Sequence, residues 1–189
     1  MLLPSFKSVI DFTLLSYIHF MYEIELPFIA GLNEFDQIPL LSKVMRRCGG
    51  YFVDKKHRHK ELYNIVLEEL LGEMMKKRLV MTYHLERHRE RFGKINNPGE
   101  FIFENLMNAY LRNIDDIDDL ILVPVTFNYD KIYEGEAFPY ELLGEERPKE
   151  TFYRVLKHTL MSSERQGKVV IKYCKPISLK QMLMEYSQQ

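Results

Sequence analysis

The sequence predicts an α/β domain in which helices flank a mostly parallel β-sheet. Short runs rich in β-branched and aromatic residues alternate with longer segments of helical apolar spacing, which is the pattern of parallel strands joined by helices. Apolar residues make up 46% of the chain and charged residues 28%, which is ordinary for a globular protein. With 189 residues, the chain is expected to form one domain spanning residues 1–189.

Local patterns define the individual elements. The segment 61–77 carries a stripe of apolar residues and ends in basic residues that complement a helix dipole. The glycines Gly49 and Gly50 stop the helix before them, and the apolar run 120–127 is the clearest strand. The predicted helices are 11–23 (mostly buried), 38–48, 61–77, 101–111, 151–165 and 178–186, the last capped by Ser178. The predicted strands are 27–31, 51–53, 79–85, 120–127 and 168–173.

Charge and cysteine content exclude several classes of protein. A formal net charge of -1 argues against a broad nucleic-acid-binding face. Cys48 and Cys174 lack C-x-x-C spacing, which predicts neither a metal knuckle nor a disulfide framework and suits a reducing compartment. His57 and His59 have no cysteine or carboxylate at the usual ligand spacing, so no metal site is expected.

No segment predicts a membrane span or a secretory signal. The most apolar run, residues 12–22, is shorter than the ~20 residues that cross a bilayer. The N-terminus has neither a charged region nor a small-residue cleavage site. We therefore expect an intracellular protein.

The N-terminal decapeptide 3–12 is the organising feature of the sequence. A proline-serine pair predicts a loop that leads into a helix with Asp11 in its first turn, and α/β enzymes place chemistry where a loop meets a helix N-terminus. The decapeptide resembles the first motif of the glycerol-phosphate and dihydroxyacetone-phosphate O-acyltransferases, roughly Leu-Pro-Ser-His-(Arg/Lys)-Ser-x-Ile-Asp-Phe. In that family the histidine is the base and the aspartate orients it. The resemblance therefore assigns the catalytic positions to Phe6, where the histidine is lost, and Asp11, and it matches Lys7 to a basic substrate-binding position.

Two expectations follow for the N-terminus. Without its imidazole partner, Asp11 fits a structural role as a first-turn acid stabilised by the helix dipole, which we favour over a catalytic one. Only five residues precede Phe6, so we expect the domain to lack its first strand and the chain to be N-terminally shortened.

The second region, residues 47–55, resembles the family's Gly-(Gly/Ala)-Phe-Phe-x-Arg-Arg segment. There a cation at the end of a strand meets the phosphate of the acceptor. The first arginine position holds Asp54 here, which would repel a phosphate, whereas Lys55 could still supply one positive charge. An exposed strand end followed by a solvated basic loop explains the same residues equally well.

The third region, residues 86–94, resembles Glu-Gly-Thr-Arg-Ser-Arg-x-Gly-Lys. Glu86, Arg89 and Arg91 match this motif, and the resemblance assigns them to substrate binding. Arg87 replaces the glycine, and its long side chain is expected to crowd the pocket.

Two histidines near this region could replace the missing base. His84 precedes the motif and His88 lies within it. We disfavour both, because the base must approach the acceptor hydroxyl from the side of the first motif.

The fourth region is the best preserved. Residues 121–132 are similar to the family's Leu-Ile-(Val/Ile)-Pro-(Val/Ile)-x-Ile-Ser-Tyr-(Asp/Glu)-(Lys/Arg)-(Val/Ile), and residues 140–151 continue the match in the form closest to the dihydroxyacetone-phosphate branch. A proline inside a core strand is unusual, so its presence at the family's position makes the resemblance specific.

The resemblance implies an O-acyltransferase that moves an acyl group from acyl-CoA, its co-substrate, to a phosphorylated three-carbon acceptor, with no cofactor. It also implies contact with a membrane surface, whether peroxisomal, mitochondrial or of the endoplasmic reticulum. The departures at Phe6, Asp54 and Arg87 fall on the chemistry, so we expect an impaired enzyme. The alternatives are a non-catalytic protein that binds lipid or acyl-CoA, and the product of a decaying gene copy that folds poorly.

Overall fold

The computed structural model describes residues 1–8, 10–32, 39–86, 97–132, 135, 138–145 and 167–187. The helices are α1 Asp11–Met21, α2 Pro39–Arg47, α3 Glu61–Lys76, α4 Glu100–Arg112, α5 Phe138–Leu142 and α6 Leu179–Ser187. The strands are β1 Leu2–Pro4, β2 Phe28–Leu32, β3 Gly50–Val53, β4 Met81–Thr82, β5 Ile121–Tyr129, β6 Val169–Tyr173 and β7 Ile177–Ser178. The predicted helix at 151–165 lies outside the described residues.

The seven strands form one sheet. Six of them lie in the order β3-β2-β4-β1-β5-β6, and β7 lies off this path and pairs with β5. Strands β1 to β5 are parallel to one another where they pair, and β6 and β7 both pair antiparallel with β5. The prediction of an α/β fold with a mostly parallel sheet is confirmed.

The expectation that the first strand is missing is wrong. Strand β1 is short but central, and it pairs with β5 in the register Leu2 with Val123 and Pro4 with Val125. Backbone hydrogen bonds hold it on both sides, from Tyr83 N to Leu2 O at 3.1 Å and from Val123 N to Met1 O at 2.8 Å. Three residues suffice to form a strand here because both neighbouring strands supply hydrogen-bond partners. The sequence did not predict it because so short a run has too few residues to show the alternation of a strand.

The core lies on both faces of the sheet, because successive side chains of a strand point to opposite faces. On one face, α3 and α4 pack against Met81 and Tyr83. On the other face, Leu15 of α1 packs with Val125 and Phe127. Two layers of helices therefore cover the central strands.

Helix α1 is less buried than predicted. Only Asp11, Leu15 and His19 are buried in it, whereas Tyr17 and Phe20 are exposed. These buried positions are four residues apart, so one narrow face of the helix meets the sheet. In the described part of the chain, no helix is both long enough and apolar enough to cross a membrane.

The predicted cap of the last helix is confirmed. The backbone N–H of Gln181 donates to Ser178 Oγ at 3.0 Å, and this hydroxyl donates in turn to Asp119 Oδ2 at 2.6 Å. Asp119, which precedes β5, therefore contributes a fixed contact to the start of α6.

Candidate active site

Residues from three of the sequence motifs lie along one edge of the sheet. Strands β1, β3 and β4 all belong to the parallel part of the sheet, so their carboxyl ends point to the same edge. Phe6 follows β1, His84 and Glu86 follow β4, and Asp54 follows β3. In open α/β sheets this edge is the usual place for a ligand site.

Asp11 closes the loop that connects β1 to α1. Its Oδ2 accepts hydrogen bonds from the backbone N–H groups of Lys7, at 2.7 Å, and Ser8, at 2.9 Å. Its Oδ1 accepts a hydrogen bond from the hydroxyl of Tyr129. The carboxylate is fully buried, so these donors stabilise a charge that would otherwise be expensive to bury.

Phe6 occupies the centre of the site. Its backbone N–H donates to Glu86 Oε1 at 2.9 Å. Its ring, 7% exposed, lies edge-on to Phe12 with a centroid distance of 5.6 Å and tilted against the His84 ring at 5.1 Å. A phenyl ring has no lone pair that could accept a proton, so the position to which the resemblance assigns a base is filled with apolar surface.

His84 is the buried imidazole nearest to this position among the described residues. It is 7% exposed, and its ring lies 4.2 Å from that of Phe12. Within the described residues, neither ring nitrogen has a hydrogen-bond partner. Burial lowers the pKa of His84 to about 3, so the ring is neutral at physiological pH.

The substrate-binding candidates after β3 are engaged locally. Asp54 Oδ1 accepts the N–H of Lys56 at 2.9 Å, and its Oδ2 pairs with His57 Nδ1 at 2.7 Å. The hydrogen bond from Lys56 is the largest cause that lowers the pKa of the Asp54 carboxyl. Lys55 begins a short 3-10 helix, Lys55–His57, whose start this carboxylate caps.

The structure does not bring Asp54 and Lys55 next to Phe6. Strand β3 is three positions away from β1 in the sheet, which corresponds to about 14 Å between the strands. A ligand that touched both regions would have to span the carboxyl ends of β2 and β4.

The third motif is described only at its start. Glu86 is buried and bonded to the loop of the first motif. The other candidates, Arg89 and Arg91, lie outside the described residues, as do Arg87 and His88. No cluster of three or more potential metal ligands occurs in the part of the chain that the structure describes.

Sequence reasoning missed the contacts of two residues. Tyr129, the last residue of β5, is the partner of Asp11, and Ser5 Oγ accepts the N–H of Phe127 at 3.1 Å. The sequence signal for Tyr129 is its place in residues 121–132, the region that best preserves the family's motif.

The arrangement therefore contains a buried, hydrogen-bonded carboxylate, Asp11, and an apolar ring, Phe6, in the position to which the resemblance assigns a base. Transfer of an acyl group to an alcohol needs a group that takes the hydroxyl proton and donors that stabilise the oxyanion. A neutral, desolvated imidazole is a weak base, because efficient bases have a pKa near the working pH.

Comparisons with known proteins identify the family that the sequence motifs resemble. The family model described as Acyltransferase matches residues 2–128. A dihydroxyacetone phosphate acyltransferase from Oryctolagus cuniculus is 30% identical over 182 residues, which are 96% of this chain and 26% of the relative. A glycerol-3-phosphate acyltransferase from Xylella fastidiosa is 30% identical over 184 residues, which are 96% of this chain and 21% of the relative. The chain thus spans about a quarter of the length of these relatives.

A solved structure supports the fold. The 1-acyl-sn-glycerophosphate acyltransferase from Thermotoga maritima superposes with a TM-score of 0.50 at 18% identity. The match covers 99% of this chain and 61% of that one. At this identity the similarity concerns the α/β architecture alone.

Proposed function

This chain belongs to the acyltransferase family, with glycerolipid acyltransferases as relatives, and we propose that it is a glycerol-phosphate or dihydroxyacetone-phosphate O-acyltransferase whose transfer step is impaired. The family implies an acyl donor and an acceptor of the glycerol-phosphate type. The proposed donor is acyl-CoA and the proposed acceptor a phosphorylated three-carbon alcohol or ketone. The observation that carries the proposed impairment is the buried Phe6 ring in the position of the base.

The first proposed defect is in proton transfer. Asp11 retains its loop contacts and the contact with Tyr129, so the frame that would orient an imidazole is complete. General-base catalysis contributes about 10²- to 10⁴-fold to a rate. We therefore expect turnover to be reduced by that factor, while the donor is still bound.

Binding of the acceptor phosphate is a second proposed weakness. Asp54 places a negative charge at the strand end, and its contacts with Lys56 and His57 fix that charge there. Lys56, which is exposed after β3, can still attract a phosphate, but as a point charge rather than as the planar fork of an arginine.

The decisive experiment restores the base. Purified protein is incubated with radiolabelled acyl-CoA and either glycerol 3-phosphate or dihydroxyacetone phosphate, and the acylated product is counted. Phe6→His is expected to raise turnover about 100-fold over the unaltered protein. Leu62→His, which adds an imidazole at an exposed position of α3, is the matched control and should leave turnover unchanged. Turnover by the unaltered protein that equals that of Phe6→His would refute the proposed impairment.

A non-catalytic role in binding lipid or acyl-CoA is the second candidate function. The observation that favours it is that Asp11 accepts hydrogen bonds from Lys7, Ser8 and Tyr129, because these bonds stabilise the site without a histidine. This function predicts saturable binding of acyl-CoA in calorimetry, with no product, in both the unaltered protein and Phe6→His. Product formation by Phe6→His would favour the impaired enzyme instead.

We further propose that the protein associates with the surface of an intracellular membrane. The end of α1 and the segment after it expose Tyr17, Phe20, Met21 and Tyr22, and aromatic side chains favour the membrane interface. Sedimentation with phosphatidylcholine vesicles tests this. The double variant Phe20→Ser and Met21→Ser should reduce the pelleted fraction, and equal pelleting of both proteins would contradict the proposal.

A further inference from the structure

We propose that His84 is a cryptic general base of this site and that the Phe6 ring screens it from substrate. This inference rests on the function proposed above. The ring of His84 contacts those of Phe6 and Phe12 at centroid distances of 5.1 and 4.2 Å. The sequence disfavours His84 because the base must approach from the side of the first motif, but these contacts place its imidazole one ring contact away from the base position of that motif.

The two nitrogens of His84 point to a function beyond packing. Both are buried, and neither has a hydrogen-bond partner among the described residues. A buried polar atom without a partner destabilises the folded state, and native proteins avoid it except where an unseen water, a ligand or catalysis explains it. A phenylalanine or leucine would fill the same space without this cost. The nitrogens thus have no partner among the described residues that would compete with an acceptor hydroxyl once the screen is removed.

The proposed transfer needs no reactant other than acyl-CoA and the acceptor. The hydroxyl oxygen of the acceptor attacks the thioester carbonyl carbon, and its proton passes to the unprotonated nitrogen of His84. The C–S bond then breaks, the ester C–O bond remains, and the protonated imidazole returns the proton to the departing thiolate of coenzyme A. The same burial that protects the ring also holds its pKa near 3, which makes the screened imidazole a poor base.

The test removes the screen without adding a titratable group. Phe6→Ala is expected to raise turnover at least tenfold over the unaltered protein in the radiolabel assay, and Phe6→Ala with His84→Phe is expected to lose that gain. Phe6→Val repeats the test with a smaller cavity in case the alanine variant folds poorly. Circular dichroism and urea unfolding verify that each variant is folded.

A second measurement does not depend on turnover. Titration of the His84 ring by NMR is expected to show its pKa rising from about 3 towards the ordinary histidine value in Phe6→Ala, because water reaches the ring. The pH profile of turnover in Phe6→Ala should follow this titration. An unchanged pKa in a folded variant would overturn the proposal.

The outcomes distinguish this inference from the proposed function. If Phe6→His gains turnover but Phe6→Ala does not, or if the double variant with His84→Phe keeps the gain, the role of His84 is refuted and the proposed function stands. If neither variant at position 6 gains turnover, both are refuted.

Discussion

The carboxylate of Glu86 binds the backbone of Phe6 across 80 residues of sequence, with Oε1 2.9 Å from the amide nitrogen. This contact joins the third motif to the first at the edge of the sheet. Glu86 therefore helps to fix the shape of the loop that carries Phe6. Four predictions follow from this and related contacts.

Glu86→Ala is expected to destabilise the protein by about 1–3 kcal/mol, because the buried N–H of Phe6 loses its acceptor. Urea unfolding measures the difference. Glu86→Gln is the matched variant, since its amide oxygen can still accept the bond, and it should lose less. An equal loss in both variants would show that charge, rather than this hydrogen bond, sets the stability.

Tyr129→Phe is expected to lower the free energy of unfolding by about 1.5–3 kcal/mol, the range for a hydrogen bond to a charged group. The substitution removes the donor to Asp11 and keeps the ring. Tyr17→Phe, at an exposed position, is the control and should be neutral. If both variants unfold at the same urea concentration, the hydroxyl of Tyr129 does not stabilise the buried carboxylate.

Stability is expected to fall as the pH decreases from about 6.5 towards 3. His84 is neutral in the folded state, with a pKa of about 3, whereas in the unfolded chain it binds a proton below its ordinary value of 6.5. Unfolding thus takes up a proton in this window, and each unit of pH costs up to about 1.4 kcal/mol. The contribution is fully present above pH 6.5 and is lost on the way to pH 3.

His84→Phe provides the control for this pH dependence. Its free energy of unfolding is measured in urea between pH 4 and 7. The slope of this free energy against pH should be smaller than that of the unaltered protein by up to about 1.4 kcal/mol per pH unit, the contribution of one proton. Identical slopes for the two proteins would mean that the ring is not held neutral by burial.

Gly50→Ala is expected to destabilise the turn between α2 and β3 by about 1–3 kcal/mol. A Cβ at this position would lie 2.8 Å from the carbonyl oxygen of Met45, which is backbone and cannot move aside cheaply. Gly135→Ala is the control, because a Cβ there meets no described atom within 4 Å. Thermal unfolding of the two variants checks the difference, and equal melting temperatures would contradict it.

Most helices and strands could be predicted from the sequence because their signals are local. The helical stripe at 61–77 became α3 at Glu61–Lys76, and the apolar run at 120–127 became β5 at Ile121–Tyr129. The position of the lost base at Phe6 was also readable, since a motif is a pattern of neighbouring residues.

The sequence by itself determined the α/β class, the acyltransferase motifs and the absence of an imidazole at position 6. Only the tertiary structure decided that β1 lies in the centre of the sheet, that Tyr129 and two backbone amides bind Asp11, and that His84 packs against Phe6. These contacts join residues that are far apart in the chain or belong to a strand of three residues. Periodicity and spacing carry no signal for them, because hydrogen bonds and packing between distant segments exist only after the sheet has brought its strands together.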